Sequence, residues 1–205
     1  LRHLAQRAQG KADVAKEAPA WPRARAGEPL PLSPAQQQIW VFERLQPGTA
    51  TYHIYDFVEL FGSLDMDALR GAFRTTLALH DALRIGFGED AGRPIQIVRE
   101  RMDAEVEFAD IESQWRAQGD IARDRAIDLV SQRPFYLSEP PLMRVSVLRL
   151  EQDRHVLIIV VHHIVTDAWS LLTLRNDVVG AYTACRAGRT PILPESPPQF
   201  ADVVL

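Results

Sequence analysis

Two adjacent histidines, His162 and His163, precede an aspartate, Asp167, in the segment Val161–Ser170. The pattern places them where a buried strand meets the N-terminus of a helix. The strand fixes the position of an imidazole, and the positive end of the helix dipole disfavours a second positive charge there, which keeps a histidine neutral and able to accept a proton. Because neighbouring residues of an extended chain point to opposite sides, we expect one histidine to face a cleft and the other to pack or orient. The segment therefore predicts a general base.

Three other roles fit the same residues. A pair of histidines at the end of a strand is often structural, with both rings satisfied by neighbouring groups. His163 and Asp167 are also of types that bind zinc, but such a site needs a further ligand, and the sequence offers no obvious one nearby, so we expect no metal. Asp167 is in addition a good N-cap for the helix that follows, a role compatible with every interpretation.

Hydrophobic patterning predicts the elements on either side of the histidines. Val156–Val161 is a continuous apolar run rich in valine and isoleucine, which is typical of a strand covered on both faces. Leu142–Leu150 alternates between apolar and polar residues and is predicted to form a hairpin with that strand. Beyond Asp167 or Thr166, apolar residues at helical spacing predict a helix that runs to about Arg186.

Helical and strand patterns follow one another along the rest of the chain. Ser33, Pro34 and Gln36 carry the capping-box signature that starts a helix. The apolar side of that helix is expected to consist of Ile39, Trp40, Phe42 and Leu45. Further predicted elements are a strand over His53–Phe61, a helix from about Asp65, two short strands over Leu83–Phe87 and Pro94–Val98, and a helix from about Gln118 to Ser131. Strands mixed with helices, with at least one hairpin, predict an α+β fold rather than a doubly wound sheet.

The composition argues against several classes of function. The 205 residues include 23 basic and 27 acidic side chains, a formal net charge of −4, so nothing suggests a nucleic acid or an anionic membrane as partner. Apolar runs are short and the chain starts without an apolar signal region, which predicts a cytoplasmic location. The single cysteine, Cys185, excludes an internal disulfide and a cysteine-based zinc site, and we expect it to be a small buried apolar residue.

The histidine segment resembles the HHxxxDG motif of condensation domains of nonribosomal peptide synthetases, within the HxxxD acyltransferase superfamily that shares the chloramphenicol acetyltransferase fold. Leu32–Trp40 resembles the first motif of that family, and Leu79–Phe87 resembles the second, usually written RHExLRTxF. Arg133–Arg144 fits a family segment that precedes the motif strand. The resemblance covers roughly Leu30 to Leu205 and implies a chloramphenicol acetyltransferase-like lobe with a mixed, mostly antiparallel sheet flanked by helices.

The resemblance implies roles for individual residues. His163 matches the second histidine of the motif, which positions or deprotonates the acceptor amine as it attacks a carrier-bound thioester, so His163 is the expected catalytic residue. His162 matches the first histidine, which is structural. Asp167 matches an aspartate that holds the loop through an ion pair, and Arg84 matches an arginine of the second motif that supports the site.

The residues after Asp167 match the motif less closely. Ala168 stands where the motif has glycine, and its extra methyl either narrows the approach of a pantetheine arm or is absorbed by a small backbone shift. Trp169 and Ser170 match the flank that packs the helix start; they are candidates for the substrate channel, although we expect Trp169 to pack in the core. Cyclisation domains carry paired aspartates instead of the histidines and are disfavoured, whereas an epimerisation domain stays open.

The resemblance also implies partners and a domain organisation. Substrates would arrive on the phosphopantetheine arms of an upstream and a downstream peptidyl carrier domain, with no directly bound cofactor, beside an adenylation domain of the same synthetase. Residues 1–9 resemble the closing helix of a carrier domain, residues 10–29 a linker, and residues 30–205 the N-terminal lobe. Complete family members have a second, C-terminal lobe, so this chain alone is expected to lack half of the substrate tunnel and to be inactive.

Two other functions remain compatible with the sequence. A catalytically degenerate condensation-like lobe would only dock or recruit a carrier or a tailoring enzyme, an interpretation motivated by Ala168 and the missing lobe. A free-standing acyltransferase would use a coenzyme A thioester and be completed by oligomerisation.

Overall fold

The computed structural model describes residues 23–103, 105–191 and 199–204. The helix predicted over residues 1–9, most of the predicted linker and the proline-rich segment 192–198 lie outside the described residues. Among the described residues the elements are, in chain order, β1 (Pro29–Pro31), α1 (Pro34–Leu45), β2 (His53–Phe61), α2 (Met66–Leu79), a 3₁₀ helix (Asp81–Arg84), β3 (Ile85–Asp90), β4 (Arg93–Val98), β5 (Val106–Asp110), α3 (Glu112–Gln118), α4 (Asp120–Ser131), β6 (Met143–Glu151), β7 (Arg154–His162), α5 (Ala168–Arg186) and α6 (Phe200–Val203).

The described strands form two sheets. The larger has the order β2-β7-β6-β5 and the smaller the order β1-β4-β3. Strand β7 pairs antiparallel with both neighbours, so that His162 lies opposite His53 at one end of the β2 ladder. Strand β5 pairs in parallel with β6, and the remaining pairings are antiparallel. The mixed, mostly antiparallel sheets flanked by helices confirm the predicted α+β fold.

Strand β7 lies at the centre of the core. Val156–Val161 is buried throughout, as its continuous apolar run predicts for a strand that has neighbours on both edges and packing on both faces. Helices α2 and α5 pack against each other, and Leu69 of α2 and Val178 of α5 line a small apolar pocket over β2 and β7. Both belong to one continuous hydrophobic cluster. This packing fixes the end of β7, where the histidines lie.

Helices α1, α2 and α5 each start at a capping residue, and the caps at Ser33 and Asp167 were predicted. Ser33 accepts a hydrogen bond from the Gln36 N–H while the Gln36 side-chain oxygen accepts one from the Ser33 N–H, which completes the predicted capping box. Asp65 caps α2 and Asp167 caps α5. Ile39 and Trp40 pack against the hydrophobic core as predicted, on the same side of α1 as the buried Gln36 and Glu43, whereas Leu45 is 77% exposed.

Other boundaries and one burial also differ from the prediction. Strand β3 starts at Ile85, because the preceding residues form the 3₁₀ helix, and it continues to Asp90, because the turn is confined to Ala91 and Gly92 with positive φ. The helix predicted from about Gln118 to Ser131 is confirmed as α4, and Gly119, whose φ of 56° favours glycine, separates it from α3. Strand β5 and helix α3 had not been predicted. Cys185 is partly rather than fully buried.

Candidate active site

The two histidines lie at the junction between β7 and α5. The His162 N–H donates to the Leu142 carbonyl at 3.0 Å, while the His163 N–H donates to the Tyr52 carbonyl at 2.7 Å. Because successive side chains of an extended chain point to opposite faces, the two rings occupy different environments. His162 is 1% exposed, whereas the His163 ring reaches a cleft.

The cleft has a volume of about 620 Å³. The walls come from segments far apart in sequence: the start of α1, Tyr52 before β2, the segment His80–Leu83, the turn from His163 to Asp167, and the first turns of α5. The lining combines imidazole, hydroxyl, amide and carboxyl groups with apolar side chains. A cleft of this size and lining is typical of a small-molecule or substrate-arm site.

Within the described residues, one ring nitrogen of His163 makes a hydrogen bond and the other does not. Nδ1 lies 2.6 Å from the carbonyl oxygen of Thr166. A carbonyl oxygen only accepts hydrogen bonds, so Nδ1 carries the proton, and in the neutral ring Nε2 has a free lone pair. The backbone of the turn therefore selects the tautomer in which Nε2 can take a proton from a bound substrate.

His162 is enclosed by aromatic rings. The centroids of Tyr52, His53 and Phe135 lie 6.3, 5.9 and 6.2 Å from its own. Burial lowers the pKa of His162 to about 4. Its Nδ1 accepts a hydrogen bond from the Ile164 N–H at 3.2 Å, and its Nε2 lies 3.4 Å from Oε1 of Glu43, a carboxyl whose own pKa is raised by burial.

Asp167 stabilises the helix start. Its carboxylate accepts from the Ser170 N–H at 2.7 Å, as an N-cap does. Hydrogen bonds from Ser170 hold the pKa of Asp167 below its usual value. Within the described part of the chain Asp167 takes part in no ion pair, so the ion pair implied by the family resemblance is absent there and the loop is held by the cap.

Ala168 and Trp169 open helix α5. Ala168 is its first residue, and among the described residues the non-glycine with positive φ is Ala91, so the alanine fits here without backbone strain. Trp169 is 78% exposed and lines the cleft together with Ser170. The prediction of a core role for Trp169 was wrong, because it precedes the buried Leu171 by about 200° of helical rotation and so lies on the opposite side of α5.

Arg84 supports the cleft wall without lining it. Its guanidinium donates to the carbonyls of Leu77 and Ala78 in the last turn of α2 at 2.5 and 2.9 Å, and to that of Arg99 at 2.9 Å. These helix carbonyls lack partners within α2, so Arg84 satisfies them and fixes the adjacent 3₁₀ helix. Its burial lowers the pKa of Arg84. The segment is also held to α5, through an Nε2–Oδ2 contact of 2.7 Å between His80 and Asp177.

The sequence analysis missed two buried polar residues beneath the site. Glu43 contacts His162, and Gln96 bonds with Gln36 under the turn that carries His163. The side chain of Gln36 also donates to the Ile164 carbonyl at 3.3 Å, beyond its role in the capping box. Glu43 lies about one helical turn after Ile39 and Trp40, and Gln96 lies between Ile95 and Ile97, so their apolar neighbours were the signal that could have indicated burial.

The described residues, 23–103, 105–191 and 199–204, contain neither a metal-binding group nor a membrane-spanning helix. No group of three or more histidine, cysteine or acidic side chains in these ranges is arranged to hold a metal ion. Nor is any helix there both long enough and apolar enough to cross a bilayer.

The family described as Condensation domain matches residues 27–205 of this chain. The chain belongs to the condensation-domain family. It is 35% identical over 173 residues to a linear gramicidin synthase of Brevibacillus parabrevis, covering 84% of this chain and 3% of that protein. It is 36% identical over 172 residues to phosphinothricin tripeptide synthetase PhsB of Streptomyces viridochromogenes, covering 84% of this chain and 14% of that one. The predicted family is thereby confirmed.

Solved structures of condensation domains share the fold. The starter condensation domain of rhizomide synthetase RzmA superimposes with a TM-score of 0.78 at 21% identity, over 86% of this chain and 44% of that one. The first condensation domain of the CDA synthetase superimposes with a TM-score of 0.73 at 25% identity, over 84% of this chain and 44% of that one. The X-domain in complex with OxyB from teicoplanin biosynthesis superimposes with a TM-score of 0.76 at 28% identity, over 91% of this chain and 39% of that one. This condensation-domain chain thus spans less than half the length of each.

Proposed function

We propose that the chain is the N-terminal part of a condensation domain that forms an amide between an acyl or peptidyl thioester on one carrier and the amine of an aminoacyl group on another. Residues 30–205 are its N-terminal lobe, and residues 1–9 end an upstream carrier domain. The observation that carries the proposal is the hydrogen bond between His163 Nδ1 and the Thr166 carbonyl, which leaves Nε2 as a proton acceptor at the cleft.

The reaction needs one proton acceptor and two aligned substrate arms. The amine nitrogen forms a bond to the thioester carbonyl carbon, and the carbon–sulfur bond breaks. His163 Nε2 takes the proton that the nitrogen loses, and the departing thiolate of the phosphopantetheine arm receives it. A proton acceptor in this position contributes about 10²- to 10⁴-fold to the rate, and alignment of the two arms contributes the rest.

Neighbouring residues have supporting roles in this proposal. His162 and Asp167 hold the turn, one from the core and the other as the helix cap. Arg84 fixes the cleft wall. Trp169 and Ser170 line the path of a pantetheine arm, with Ala168 beside them.

The proposed partners are an upstream and a downstream peptidyl carrier domain, an adenylation domain of the same synthetase and the C-terminal part of the condensation domain. The proposal draws on the relatives, of which this chain spans a small share: 3% of the linear gramicidin synthase and 14% of PhsB. A complete tunnel requires the second lobe, so the 205-residue chain by itself is expected to be inactive.

The test is formation of a dipeptide on the acceptor carrier, detected by mass spectrometry, with this chain alone and with the polypeptide extended through the second lobe. We expect product from the extended form and its loss, by about 10²-fold or more, in His163→Ala. Ser113→Ala serves as the control, because Ser113 is exposed on α3 and does not line the cleft. Full activity of His163→Ala in the extended form would refute the assignment.

A second candidate is a docking module that has lost the reaction. The observation that favours it is the similarity to the X-domain, which was solved in complex with OxyB from teicoplanin biosynthesis. No product from the extended form, with both carriers still binding, would support this candidate over the enzyme. Turnover of acyl-coenzyme A by the chain alone would contradict both.

A further inference from the structure

Helix α1 presents two buried polar residues, Gln36 and Glu43, to the turn that carries His163. We propose that Glu43 is a positioning residue for His163, acting through the tautomer of His162 and the peptide groups of Ile164. The inference rests on the proposed role of His163 and adds a residue to which neither the motif nor the family resemblance assigned a role.

The first step is the tautomer of His162. The Ile164 N–H donates to His162 Nδ1 at 3.2 Å, and a ring nitrogen that accepts a hydrogen bond carries no proton. In the neutral ring the proton is therefore on Nε2. That N–H lies 3.4 Å from Oε1 of Glu43, which accepts whether or not the carboxyl is ionised.

The second step is what happens without an acceptor at position 43. His162 is 1% exposed, so an Nε2–H without a partner cannot turn to water, and an unsatisfied buried donor is unfavourable. The alternative tautomer puts the proton on Nδ1. Nδ1 is then a donor that faces the Ile164 N–H, another donor, so the two groups cannot form a hydrogen bond. The unsatisfied donor therefore favours the alternative tautomer, and that tautomer breaks the hydrogen bond that fixes Ile164.

The third step connects Ile164 to the catalytic ring. Gln36 donates to the Ile164 carbonyl at 3.3 Å, while Glu43 acts on the Ile164 N–H through His162. Helix α1 therefore holds both backbone polar groups of the residue directly after His163. The Thr166 carbonyl that selects the His163 tautomer lies in the same turn, so loosening Ile164 releases that selection.

The test is the tautomer of each histidine in the 205-residue chain labelled with ¹⁵N-histidine, read from long-range ¹⁵N–¹H spectra. In the wild type we expect the proton of His162 on Nε2 and that of His163 on Nδ1. Glu43→Gln keeps an oxygen acceptor and should keep both signatures, whereas Glu43→Met removes it and should turn His163 into a mixture of tautomers.

A matched control separates positioning from general loss of stability. Ser146→Ala removes a buried hydroxyl that bonds to Glu107 at 2.9 Å, away from the turn, and should lower the unfolding midpoint while leaving His163 unchanged. An Nδ1 proton on wild-type His162, a changed His163 signature in Glu43→Gln, or an unchanged one in Glu43→Met would each overturn the proposal. If Glu43→Met does not fold, the wild-type tautomers and the glutamine variant still decide.

Kinetics of the extended polypeptide give a second readout. We expect Glu43→Met to lower kcat for dipeptide formation at least about tenfold with KM nearly unchanged, and Glu43→Gln to retain most activity, because the acceptor affects the proton-transfer ring and not the binding of the arms. An unchanged kcat in Glu43→Met would contradict the role of Glu43. An inactive wild type would instead refute the proposed function, and the spectra would still report on the tautomers.

Discussion

The side-chain amides of Gln36 and Gln96 form a reciprocal hydrogen-bonded pair, in which each nitrogen donates to the oxygen of the other, at 3.1 and 3.2 Å. Both side chains are buried. Gln96 also donates to the Pro31 carbonyl at 2.7 Å, and the Gln36 oxygen accepts from the Ser33 N–H at 2.9 Å. The pair therefore joins the start of α1 to both β1 and β4 of the smaller sheet.

Removing one amide of this pair should be costly. We expect Gln96→Leu to lower the free energy of unfolding by about 1–3 kcal/mol, because the Pro31 carbonyl and the Gln36 amide lose their partner inside the core. Urea denaturation measures the change. Gln38→Leu, on the exposed side of α1, is the control and should stay within about 0.5 kcal/mol of the wild type. Equal losses in both variants would contradict the importance of the pair.

The cap at Asp167 can be separated from its charge. Asp167→Ala should reduce the free energy of unfolding by about 1 kcal/mol, because the Ser170 N–H loses its acceptor. Asp167→Asn keeps an oxygen in place and should lose much less. Thermal unfolding of the three proteins compares them, and a loss in Asp167→Asn as large as that in Asp167→Ala would point to the charge rather than the cap.

Trp169 and Leu171 provide a test of the revised position of the tryptophan. Trp169→Ala should leave the free energy of unfolding within about 0.5 kcal/mol of the wild type, since the side chain is largely exposed. Leu171→Ala should cost about 2–5 kcal/mol, because it removes a buried side chain from the same helix. A large loss in the tryptophan variant would restore the core role that the sequence had suggested.

Two glycines of β3 differ in the space beside them. A Cβ at Gly86 would lie 3.0 Å from the ring atoms Cγ and Cδ of Pro140, whereas a Cβ at Gly88 would meet nothing within 4 Å. We expect Gly86→Val to destabilise the fold by about 1–3 kcal/mol through overpacking against a rigid ring. Gly88→Val should be tolerated. Chemical denaturation of the two variants compares them, and similar midpoints would contradict the close approach.

Burial of His162 makes stability depend on pH. Its folded pKa is about 4, below the ordinary 6.5, so between these values the unfolded chain binds a proton that the folded chain does not. Stability should therefore fall as the pH decreases from 6.5 to 4, by up to about 3 kcal/mol from this residue. The comparison is the slope of unfolding free energy against pH in the wild type and in His162→Gln, which does not titrate.

Other titratable groups also change the free energy of unfolding in this pH range, and the direction of each pKa shift gives the direction of its effect. Burial also lowers the pKa values of His53 and His155, which adds to the loss in acid. Burial raises the pKa values of Glu43 and Asp81, so these carboxyls bind protons at higher pH in the folded chain than in the unfolded chain. Their protonation therefore opposes the loss of stability in acid. The difference between wild type and variant isolates His162, and an identical slope in both would show that its ring is not held neutral.

Local signals predicted much of the frame that holds the site. Caps at Ser33 and Asp167 and the apolar run of β7 depend on neighbouring residues, so the sequence contains them directly. Strand β5 was missed because it is short, partly exposed and paired in parallel, which leaves little alternation to detect. The strand–helix junction predicted at the two histidines coincides with the observed junction of β7 and α5.

Contacts between distant residues were not predictable in the same way. Glu43 and Gln96 are polar residues, and their burial depends on partners that the fold brings to them. Trp169 shows the opposite error, since a large apolar side chain was expected to be buried and the rotation of α5 places it at the cleft. The pattern determines which faces are apolar, whereas the tertiary arrangement determines which polar groups those faces enclose.

The pairing of β2 with β7 has a consequence for synthesis on the ribosome. His53 pairs with His162, and Gln36 reaches Ile164 across 128 residues of sequence. At about 5–20 residues per second, the early part of the chain waits on the order of 6 to 25 seconds for these partners to emerge. The hydrogen-bonding edge of β2 and the buried polar residues of α1 remain unpaired during that interval. Mutations that slow the docking of β7 should therefore reduce the yield of soluble protein more than the stability of the protein that does fold.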